Sequence, residues 1–331
     1  MQSDRTLLLR RSDVEQLLTF RDCIDAVEEV FRLQGQGKVP PSGILGVKAL
    51  GGGLHVKAGL LPGQKDYIVA KLNTNFPNNR ARSNLPTIQG VIVVYDAENG
   101  RTLAVLDSID ITIKRTAAAS AVAAKYLARE NSSVATICGC GQQGWAQLRA
   151  MRTVLPLKKI YAFDLHQRAA NSLATELGSE LQVEIEPVHD LRRAIQKSDV
   201  CVTCTPANDF FVHRKDVSLG TFIAAVGADD AHKQEIDPAL MASAKVVADS
   251  LEQCCAIGDT NHPIAQGLMR KEDVYAALAE IVAGKKPGRT NDDEIIVFDS
   301  TGVAIEDAVA AAAVYEKARA ANIGTHFNFA A

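Results

Sequence analysis

The stretch Val134-Ala-Thr-Ile-Cys-Gly-Cys-Gly-Gln-Gln-Gly-Trp-Ala146 decides the fold of this chain. A short β-branched run leads into the pattern Gly139-x-Gly141-x-x-Gly144, and an amphipathic segment, 143–155, follows. This order predicts a strand, a tight glycine turn and a helix whose first N–H groups can bind a pyrophosphate. The second glycine lets the backbone approach the phosphates, and the third lets the helix pack on the strand.

A glycine pattern alone is weak evidence, but the following segment supports it. Residues 159–164 are typical of a second strand, which ends in Asp164, twenty residues after Gly144. At this distance a dinucleotide-binding fold places the carboxylate that binds the adenosine ribose. No arginine directly follows Asp164, which favours NAD over NADP, while residues 165–168 leave acceptance of a 2′-phosphate open.

Length and composition limit the class of protein. The chain has 331 residues, enough for one large or two ordinary domains, and 47% of them are hydrophobic. A net charge of −3 gives no reason to expect nucleic acid or an anionic membrane as a partner. We find neither an apolar run of about 18 residues nor a signal-peptide pattern, so we expect a cytoplasmic protein without a transmembrane helix.

The cysteines and histidines do not predict a metal site. The seven cysteines are an odd number in a long chain, which does not indicate a disulfide framework. Cys201-Val-Thr-Cys204 has the spacing of half a zinc site, but it lies in a predicted strand and has no second pair. We therefore expect no metal.

The first third of the chain predicts a sheet preceded by one helix. Ser12 is a plausible N-cap for a helix that runs to about Phe31. Between residues 44 and 107 apolar alternation is interrupted by turns, and Asn99-Gly100 is a hairpin signal. We expect an antiparallel or mixed sheet, followed by an alanine-rich helix over 112–128.

Beyond Asp164 strands and helices alternate, which predicts a parallel sheet. We expect a helix over 274–283, a last strand over 295–298 and a long helix over 303–321 that returns to the first domain. The fold class is α/β, a Rossmann-type doubly wound parallel sheet plus an α+β substrate and dimerisation domain. The predicted domains are 1–128 with 302–331, and 129–301.

Basic side chains cluster on one face of the predicted first sheet. Strand alternation places Lys71 on the face of Tyr67, Val69 and Asn73, and the same logic pairs His55 with Lys57 on the strand before. A lysine in an apolar strand needs an anionic partner, such as a substrate carboxylate, unless it lies on an exposed edge.

Two further positions could carry chemistry. Arg115 opens an otherwise uncharged helical turn, where its guanidinium could hold a carboxylate through two hydrogen bonds or form a surface salt bridge. Asp229 follows a strand and a glycine turn at the expected carboxyl edge of the parallel sheet, where such sheets bind ligands. A carboxylate there could relay a proton, and its neighbour Asp230 is the better candidate for a solvent-facing group.

Taken together, five motifs make the chain resemble the ornithine cyclodeaminase/μ-crystallin family over nearly its whole length. They are Lys71-Leu-Asn with Phe76-Pro-x-Asn78, Lys114-Arg-Thr-Ala-Ala118, the glycine turn, Gly227-Ala-Asp229-x-x-x-Lys233-x-Glu235, and Val297-Phe-Asp-Ser-x-Gly302 with Glu306-Asp307. The resemblance implies a homodimer in which the first domain provides the substrate and dimer surfaces and the second binds NAD(P).

The resemblance also implies residue roles. Lys71 and Arg115 would hold the substrate α-carboxylate, Asp229 would handle the proton and Thr301 would touch the substrate. The implied cofactor contacts, beside the three glycines of the turn, are Thr87, Arg115, Thr116, Gln142, Gln143, Asp164, Thr205, Val226, Lys233 and Ser300.

Departures from the family pattern narrow the substrate. Cyclodeaminases carry a glutamate before a Met-Pro pair on the strand that here contains His55 and Lys57, and Ser42 stands where relatives often have a carboxylate-binding arginine. A basic face disfavours the distal ammonium of a diamino acid. We therefore expect an NAD(H)-dependent imino-acid reductase or amino-acid dehydrogenase for a small neutral or acidic substrate, of the alanine/pyruvate or aspartate/iminosuccinate type. The alternatives are an NAD-dependent ornithine or lysine cyclodeaminase and a non-catalytic, μ-crystallin-like small-ligand binder.

Overall fold

The computed structural model describes residues 5–329, except the side chains of residues 80 and 81. The described part of Met1–Arg115 forms one compact unit with that of Val303–Ala331, and Thr116–Gly302 forms the other. This division falls within the helix Ile109–Leu127. The boundaries inferred from the sequence assign that whole helix to the first domain, and they stay a prediction.

The first unit contains the leading elements of the chain and its last two. In chain order up to the division these are β1 Thr6–Leu9, α1 Arg11–Leu17, α2 Phe20–Gly35, β2 Gly43–Ala49, β3 Gly52–Leu61, β4 Tyr67–Asn75, α3 Asn79–Ser83, β5 Ile88–Asp96 and β6 Thr102–Asp107. They are followed by α4 Ile109–Leu127, whose residues from Thr116 onward belong to the second unit.

The second unit continues with short strands and helices in alternation. These are β7 Val134–Cys138, α5 Gln142–Val154, β8 Lys159–Phe163, α6 Gln167–Leu181, β9 Glu184–Pro187, α7 Leu191–Gln196, β10 Val200–Thr203, β11 Phe222–Ala225, α8 Pro238–Ser243, β12 Lys245–Ala248, α9 Leu251–Ile257, α10 Asn261–Ala265, β13 Ala276–Ala277, α11 Leu278–Val282 and β14 Ile296–Asp299. The chain then returns to the first unit with α12 Ala304–Ala321 and β15 Thr325–Phe327. Among the described residues, no helix combines the length and the apolar character needed to span a membrane.

The first unit is built on a seven-stranded mixed sheet, in the order β15-β1-β6-β5-β4-β3-β2. Strands β1 and β6 are parallel, and the other neighbours are antiparallel. Asn99-Gly100 turns the chain between β5 and β6, with Gly100 at φ +75°, as the hairpin signal predicted. Helix α12 packs on β3, β4 and β5, and it also contacts α2.

The prediction of one leading helix with Ser12 as its N-cap is wrong. Helix α1 begins two residues earlier, with Arg10 as its N-cap, because the Asp13 carboxylate accepts the Arg10 N–H at 2.9 Å. The chain then breaks at Leu18, which is fully buried in an extended conformation, and Thr19 caps a new helix by accepting the Asp22 N–H at 3.2 Å. Burial of Leu18 and this cap outweigh the continuous helical pattern of the sequence.

The second unit contains an eight-stranded, wholly parallel sheet in the order β13-β12-β14-β11-β10-β7-β8-β9. The strand order reverses between β7 and β10, so that the turns after these two strands meet at the carboxyl edge. In a doubly wound sheet this reversal marks the ligand-binding crevice. The predicted parallel sheet is therefore confirmed.

The predicted helix over 274–283 is wrong in its first half. The Tyr275 N–H bonds to the Val246 carbonyl at 2.9 Å, and β13 then extends the sheet beside β12. Only Leu278–Val282 is helical, and it begins where the Glu280 carboxylate accepts the Ala277 N–H at 2.9 Å. The open edge of β12 offers backbone partners that the apolar periodicity of the sequence does not reveal.

Candidate active site

The first unit brings the predicted basic residues together on one face of its sheet. In the antiparallel register of β3 and β4, Lys57 pairs with Lys71, and His55 pairs with Asn73. Directly paired residues share a face, so these four side chains lie on the same side. Lys71 is 5% exposed, Lys57 is half-buried and His55 is exposed.

Two carboxylates from the first turn of α12 occupy this face. Lys71 Nζ lies 2.6 Å from Asp307 Oδ2. Arg115 Nε lies 2.9 Å from Asp307 Oδ1, and Arg115 Nη1 lies 2.6 Å from Glu306 Oε2. Arg115, Glu306 and Asp307 are at most 5% exposed, so Arg115 forms a buried ion pair rather than a surface one. The first turn of a helix also favours carboxylates, because its N–H groups carry partial positive charge.

Burial dominates the acid–base behaviour of Lys71. Desolvation lowers the pKa of Lys71 to about 8; Asp307 opposes this effect, and the charges of Arg115 and Lys57 add to it. Burial alone would raise the pKa of Asp307, but Arg115 and Lys71 outweigh it, and that pKa is lowered. An amine with a pKa near 8 can both carry charge and exchange a proton close to neutral pH.

The glycine turn of the second unit has the expected strand–turn–helix geometry. Gly139 has φ +98°, and a Cβ on Gly144 would lie 2.1 Å from the Gly139 carbonyl oxygen, so both positions require glycine. A Cβ on Gly141 would meet no atom within 4 Å. Gly141 is the N-cap of α5, and Gln142 and Gln143 form the first turn of this 13-residue helix. The open space above its N–H groups fits a pyrophosphate.

Asp164 follows β8 beside this turn. Its Oδ2 accepts the Cys140 N–H at 2.8 Å, and its Oδ1 accepts the His166 N–H at 2.8 Å. The carboxylate is therefore fixed in orientation against the glycine turn. Each oxygen keeps a second lone pair, which can accept a ribose hydroxyl.

The turns after β10 and β11 carry three more predicted residues. Thr205 lies against the glycine turn, since its Cγ2 would be 3.1 Å from a Cβ on Gly139. Val226 directly follows β11 and donates its N–H to the Thr203 carbonyl at 2.9 Å. Asp229, further along this turn, is exposed, and its Oδ1 pairs with Lys233 Nζ at 2.5 Å. Asp230 is also exposed, and its Oδ1 accepts the His232 N–H at 3.0 Å.

Ser300 and Thr301 directly follow β14 and are oriented by a buried carboxylate that we did not single out from the sequence. Asp249, just after β12, accepts the Ser300 hydroxyl at 3.1 Å, the Thr301 hydroxyl at 3.2 Å and the Gly302 N–H at 2.6 Å. Its position at the end of a predicted strand was the available signal. Thr87 in the first unit is half-buried and Thr116 is 9% exposed; their proposed cofactor contacts stay predictions.

A doubly wound parallel sheet with this glycine turn and a fixed carboxylate after the second strand defines a Rossmann-type dinucleotide-binding fold. The chain belongs to the ornithine cyclodeaminase/mu-crystallin family, whose model matches residues 4–322. The predicted family and fold class are thereby confirmed.

Individual relatives cover almost the whole chain. It is 38% identical to an alanine dehydrogenase of Archaeoglobus fulgidus over 98% of each protein. It is 34% identical to an iminosuccinate reductase of Paracoccus denitrificans, over 95% of this chain and 97% of that protein. A solved archaeal alanine dehydrogenase dimer with bound NAD has a TM-score of 0.93 and 38% identity, covering 98% of this chain and 99% of that one.

Proposed function

We propose that this protein is an NAD(H)-dependent imino-acid reductase, or amino-acid dehydrogenase in the reverse direction, for a small 2-imino acid. The observation that carries the proposal is that two buried cations, Lys71 and Arg115, meet at Asp307, and that Lys57 lies beside Lys71 on the same sheet face. The similarity to an alanine dehydrogenase and an iminosuccinate reductase supports this reaction class. Bound NADH supplies the hydride that reduces the C=N carbon.

The two buried cations recognise the substrate carboxylate. Lys71 and Arg115 together balance Glu306 and Asp307, and Lys57 adds positive charge to the same face. The negative charge of an α-carboxylate is therefore favoured here. Fixing the carboxylate orients the imine carbon before reaction, and such orientation contributes several kcal/mol, roughly, to lowering the barrier.

The amine product also needs a proton, and Asp229 is the proposed group that delivers it. Its carboxylate follows the β11 turn and is paired with Lys233, four residues further along the chain. The identity of Asp229 as the relay is part of the proposal, as are the cofactor contacts of Thr205, Val226, Lys233 and Ser300.

A neutral or acidic side chain fits the first unit better than a diamino acid. Three basic side chains, Lys57, Lys71 and Arg115, lie here with two acidic ones, Glu306 and Asp307, so a further distal ammonium is disfavoured. We therefore retain both pyruvate-type and oxaloacetate-type substrates and do not favour ornithine or lysine cyclodeamination.

NADH oxidation tests this function directly. Ammonium with pyruvate or oxaloacetate should support NADH oxidation, and the matching amino acid should reduce NAD in the reverse assay. Release of ammonia from ornithine without net NADH change, together with silence on the oxo acids, would instead establish cyclodeamination. Absence of any turnover with retained ligand binding would identify a binding protein.

The space above Gly141 gives the first prediction. Gly141→Ala should leave the unfolding temperature unchanged, because φ is −80° and no atom lies within 4 Å of the added methyl. We expect NADH affinity to fall about tenfold, because the methyl occupies the space proposed for the pyrophosphate. Calorimetric titration measures this effect, with Gly46→Ala, which also meets no atom within 4 Å, as control. Unchanged NADH affinity would place the phosphates elsewhere.

We further propose a homodimer formed through the outer face of the first sheet. Leu45, Val56, Leu72 and Val91 lie side by side across four strands on the face opposite Lys71. Leu45 is 58% exposed and Val91 is 40% exposed. A continuous apolar sheet face of this kind marks a protein interface, and the solved archaeal relative is described as a dimer.

The proposed interface gives the second prediction. Changing both Leu45 and Val91 to lysine should convert a dimer to a monomer, because like charges would meet across the apolar face. Light scattering measures the mass, and Leu219→Lys, a 62% exposed position in the second unit, is the control. A double variant that keeps the wild-type dimer mass would contradict this interface.

A further inference from the structure

Three fully buried carboxylates link the turns that carry the predicted ligand contacts of the second unit. We call Glu235, Asp259 and Asp299 the buried carboxylate chain. Glu235 lies beneath the turns after β10 and β11, Asp259 follows α9, and Asp299 is the last residue of β14. Among the described residues, no group of three His, Cys, Asp or Glu side chains could hold a metal ion.

Both oxygens of Glu235 are fully used as acceptors. Oε1 accepts the N–H and the hydroxyl of Thr205, each at 2.7 Å. Oε2 accepts the Gly227 N–H at 2.8 Å and the Thr203 hydroxyl at 2.7 Å. One carboxylate therefore ties the turn after β10 to the turn that leads to Asp229.

Asp259 and Asp299 are each satisfied on one oxygen only. Asp259 Oδ1 accepts the N–H groups of Glu235 and Ile236 at 2.8 and 2.9 Å. Asp299 Oδ2 accepts the N–H and hydroxyl of Thr260 at 2.8 and 2.6 Å. Asp259 Oδ2 and Asp299 Oδ1 are buried and have no hydrogen-bond donor among the described residues. Leaving two such oxygens unsatisfied is costly, which calls for an additional proton.

Local packing places these two carboxylates beside each other. The donor that satisfies Asp299 is Thr260, the residue directly after Asp259. A Cβ on Gly258, the residue directly before Asp259, would lie 2.7 Å from Asp299 Oδ2. The Asp259 N–H also favours the charged form of Asp299, although it is outside hydrogen-bonding geometry with Oδ1. The Asp299 carboxylate therefore lies against residues 258–260.

We propose that Asp259 and Asp299 share one proton between Asp259 Oδ2 and Asp299 Oδ1, and that this pair positions the ligand-binding turns through Glu235 and Ser300. The shared proton satisfies both unpaired oxygens at once. It also removes one negative charge from a chain of three buried carboxylates. Asp259 fixes the backbone of Glu235, and Asp299 directly precedes Ser300, so the pair connects the turns after β10, β11 and β14.

The surrounding charges agree with a retained proton. Burial, followed by the charges of Asp299 and Glu235, raises the pKa of Asp259 well above its usual value. Burial raises the pKa of Asp299 to about 7; hydrogen bonds from Thr260 oppose this and the charge of Asp249 adds to it. The titratable groups that face Asp299 from α9 are the thiols of Cys254 and Cys255.

The direction of the pH effect follows from this shift. In the unfolded chain an aspartate has a pKa near 3.8, so the folded state binds the proton more tightly. The resulting stabilisation is fully present below about pH 4 and is lost as the pH rises through about 7. The ligand-binding turns should therefore loosen in alkaline solution.

Asparagine substitutions provide an isosteric test. Asp259→Asn and Asp299→Asn can each keep the satisfied oxygen in place and present an NH₂ to the other carboxylate, as the shared proton does. Each single variant should fold. When the pH is raised from 6 to 8, the difference between the unfolding temperatures of the variant and the wild type should shift by about 3 °C in favour of the variant. The exposed Asp292→Asn is the matched control and should show no such gain.

The double variant supplies the decisive comparison. With both aspartates replaced, two NH₂ groups face each other, so the unfolding temperature should fall at least about 5 °C below either single variant at every pH. A double variant as stable as the single ones would overturn the shared proton. The effect of each single substitution would then come only from removing the repulsion between two charged carboxylates. Infrared spectroscopy checks the wild type independently: a protonated carboxyl band should be present at neutral pH and absent in Asp259→Asn.

The positioning role rests on the proposed function, whereas the shared proton does not. NADH affinity of wild type should fall between pH 6 and pH 8, and Asp299→Asn should lose that dependence. Glu235→Gln should weaken NADH binding about tenfold, because either amide orientation sets an NH₂ against the N–H of Thr205 or Gly227. Undisturbed NADH binding in Glu235→Gln would refute the positioning role. Absence of NADH binding in wild type, with the stability results intact, would refute the proposed cofactor alone.

Discussion

Lys71→Met should lower kcat/KM for imine reduction about 100- to 1,000-fold while NADH affinity stays at the wild-type value. Lys71 is the buried cation proposed to hold the substrate carboxylate, and it belongs to the first unit, whereas the glycine turn and Asp164 belong to the second. Loss of one pre-oriented donor at a reacting group typically has an effect of this size. Steady-state kinetics and NADH titration measure the two quantities separately.

The matched control for this prediction is Lys38→Met, an exposed lysine in the same unit, which should remain fully active. Asp307 keeps its contact with Arg115 in Lys71→Met, so the variant should still fold. Wild-type activity in Lys71→Met would rule out the proposed carboxylate site. A parallel loss of NADH affinity would show that Lys71 acts on the cofactor rather than on the substrate.

The pH profile of the substrate KM gives a second readout of the same residue. Burial lowers the pKa of Lys71 to about 8, so its positive charge is present below pH 8 and is lost above it. The KM for the imino acid should therefore rise as the pH passes through about 8. Arginine keeps its charge over this range, so in Lys71→Arg the KM should not rise as the pH passes through about 8.

Arg115→Met should lower the free energy of unfolding by about 3–5 kcal/mol, the second large effect. The guanidinium balances Glu306 and Asp307, which are both fully buried, and its removal leaves carboxylate charge without sufficient compensation. Breaking a buried pair by removing one partner has a cost of this order. Urea denaturation followed by circular dichroism measures the change.

Two comparisons separate the cost of leaving buried carboxylates uncompensated from the cost of replacing any ion-paired arginine by methionine. Arg11→Met breaks a 3.1 Å pair with Asp107, but Arg11 is half exposed, so at most about 1 kcal/mol should be lost. Adding Glu306→Gln to Arg115→Met should recover part of the stability, because it removes one uncompensated charge. A cost below about 1 kcal/mol for Arg115→Met would mean that solvent compensates these carboxylates.

Local sequence signals correctly predicted the strand, glycine turn and helix of the second unit. The glycine turn, the following helix and Asp164 lie within one short βαβ segment, where strand periodicity and turn chemistry are set by neighbouring residues. The same applies to Lys71: alternation along β4 assigned it to the face of Tyr67, Val69 and Asn73, and all four are buried.

Two other elements were decided by tertiary contacts, which a local sequence pattern does not show. The helical periodicity up to Phe31 is interrupted at Leu18 because a buried extended residue and the Thr19 cap are more favourable. Residues 276 and 277 join β12 because a strand edge is available there. In both places tertiary contacts outweighed intrinsic helix preference.

By itself, the sequence determined the fold class, the position of the glycine turn and the face on which Lys71 lies, because periods of two and 3.6 residues and turn residues act over short distances. The tertiary structure alone decided which charges meet. Arg115 bonds to Asp307 across 192 positions, and Asp299 bonds to Thr260 across 39. Such partners are set by the packing that brings the first turn of α12 to Arg115 and the residues after α9 to the end of β14, and no local pattern encodes that packing.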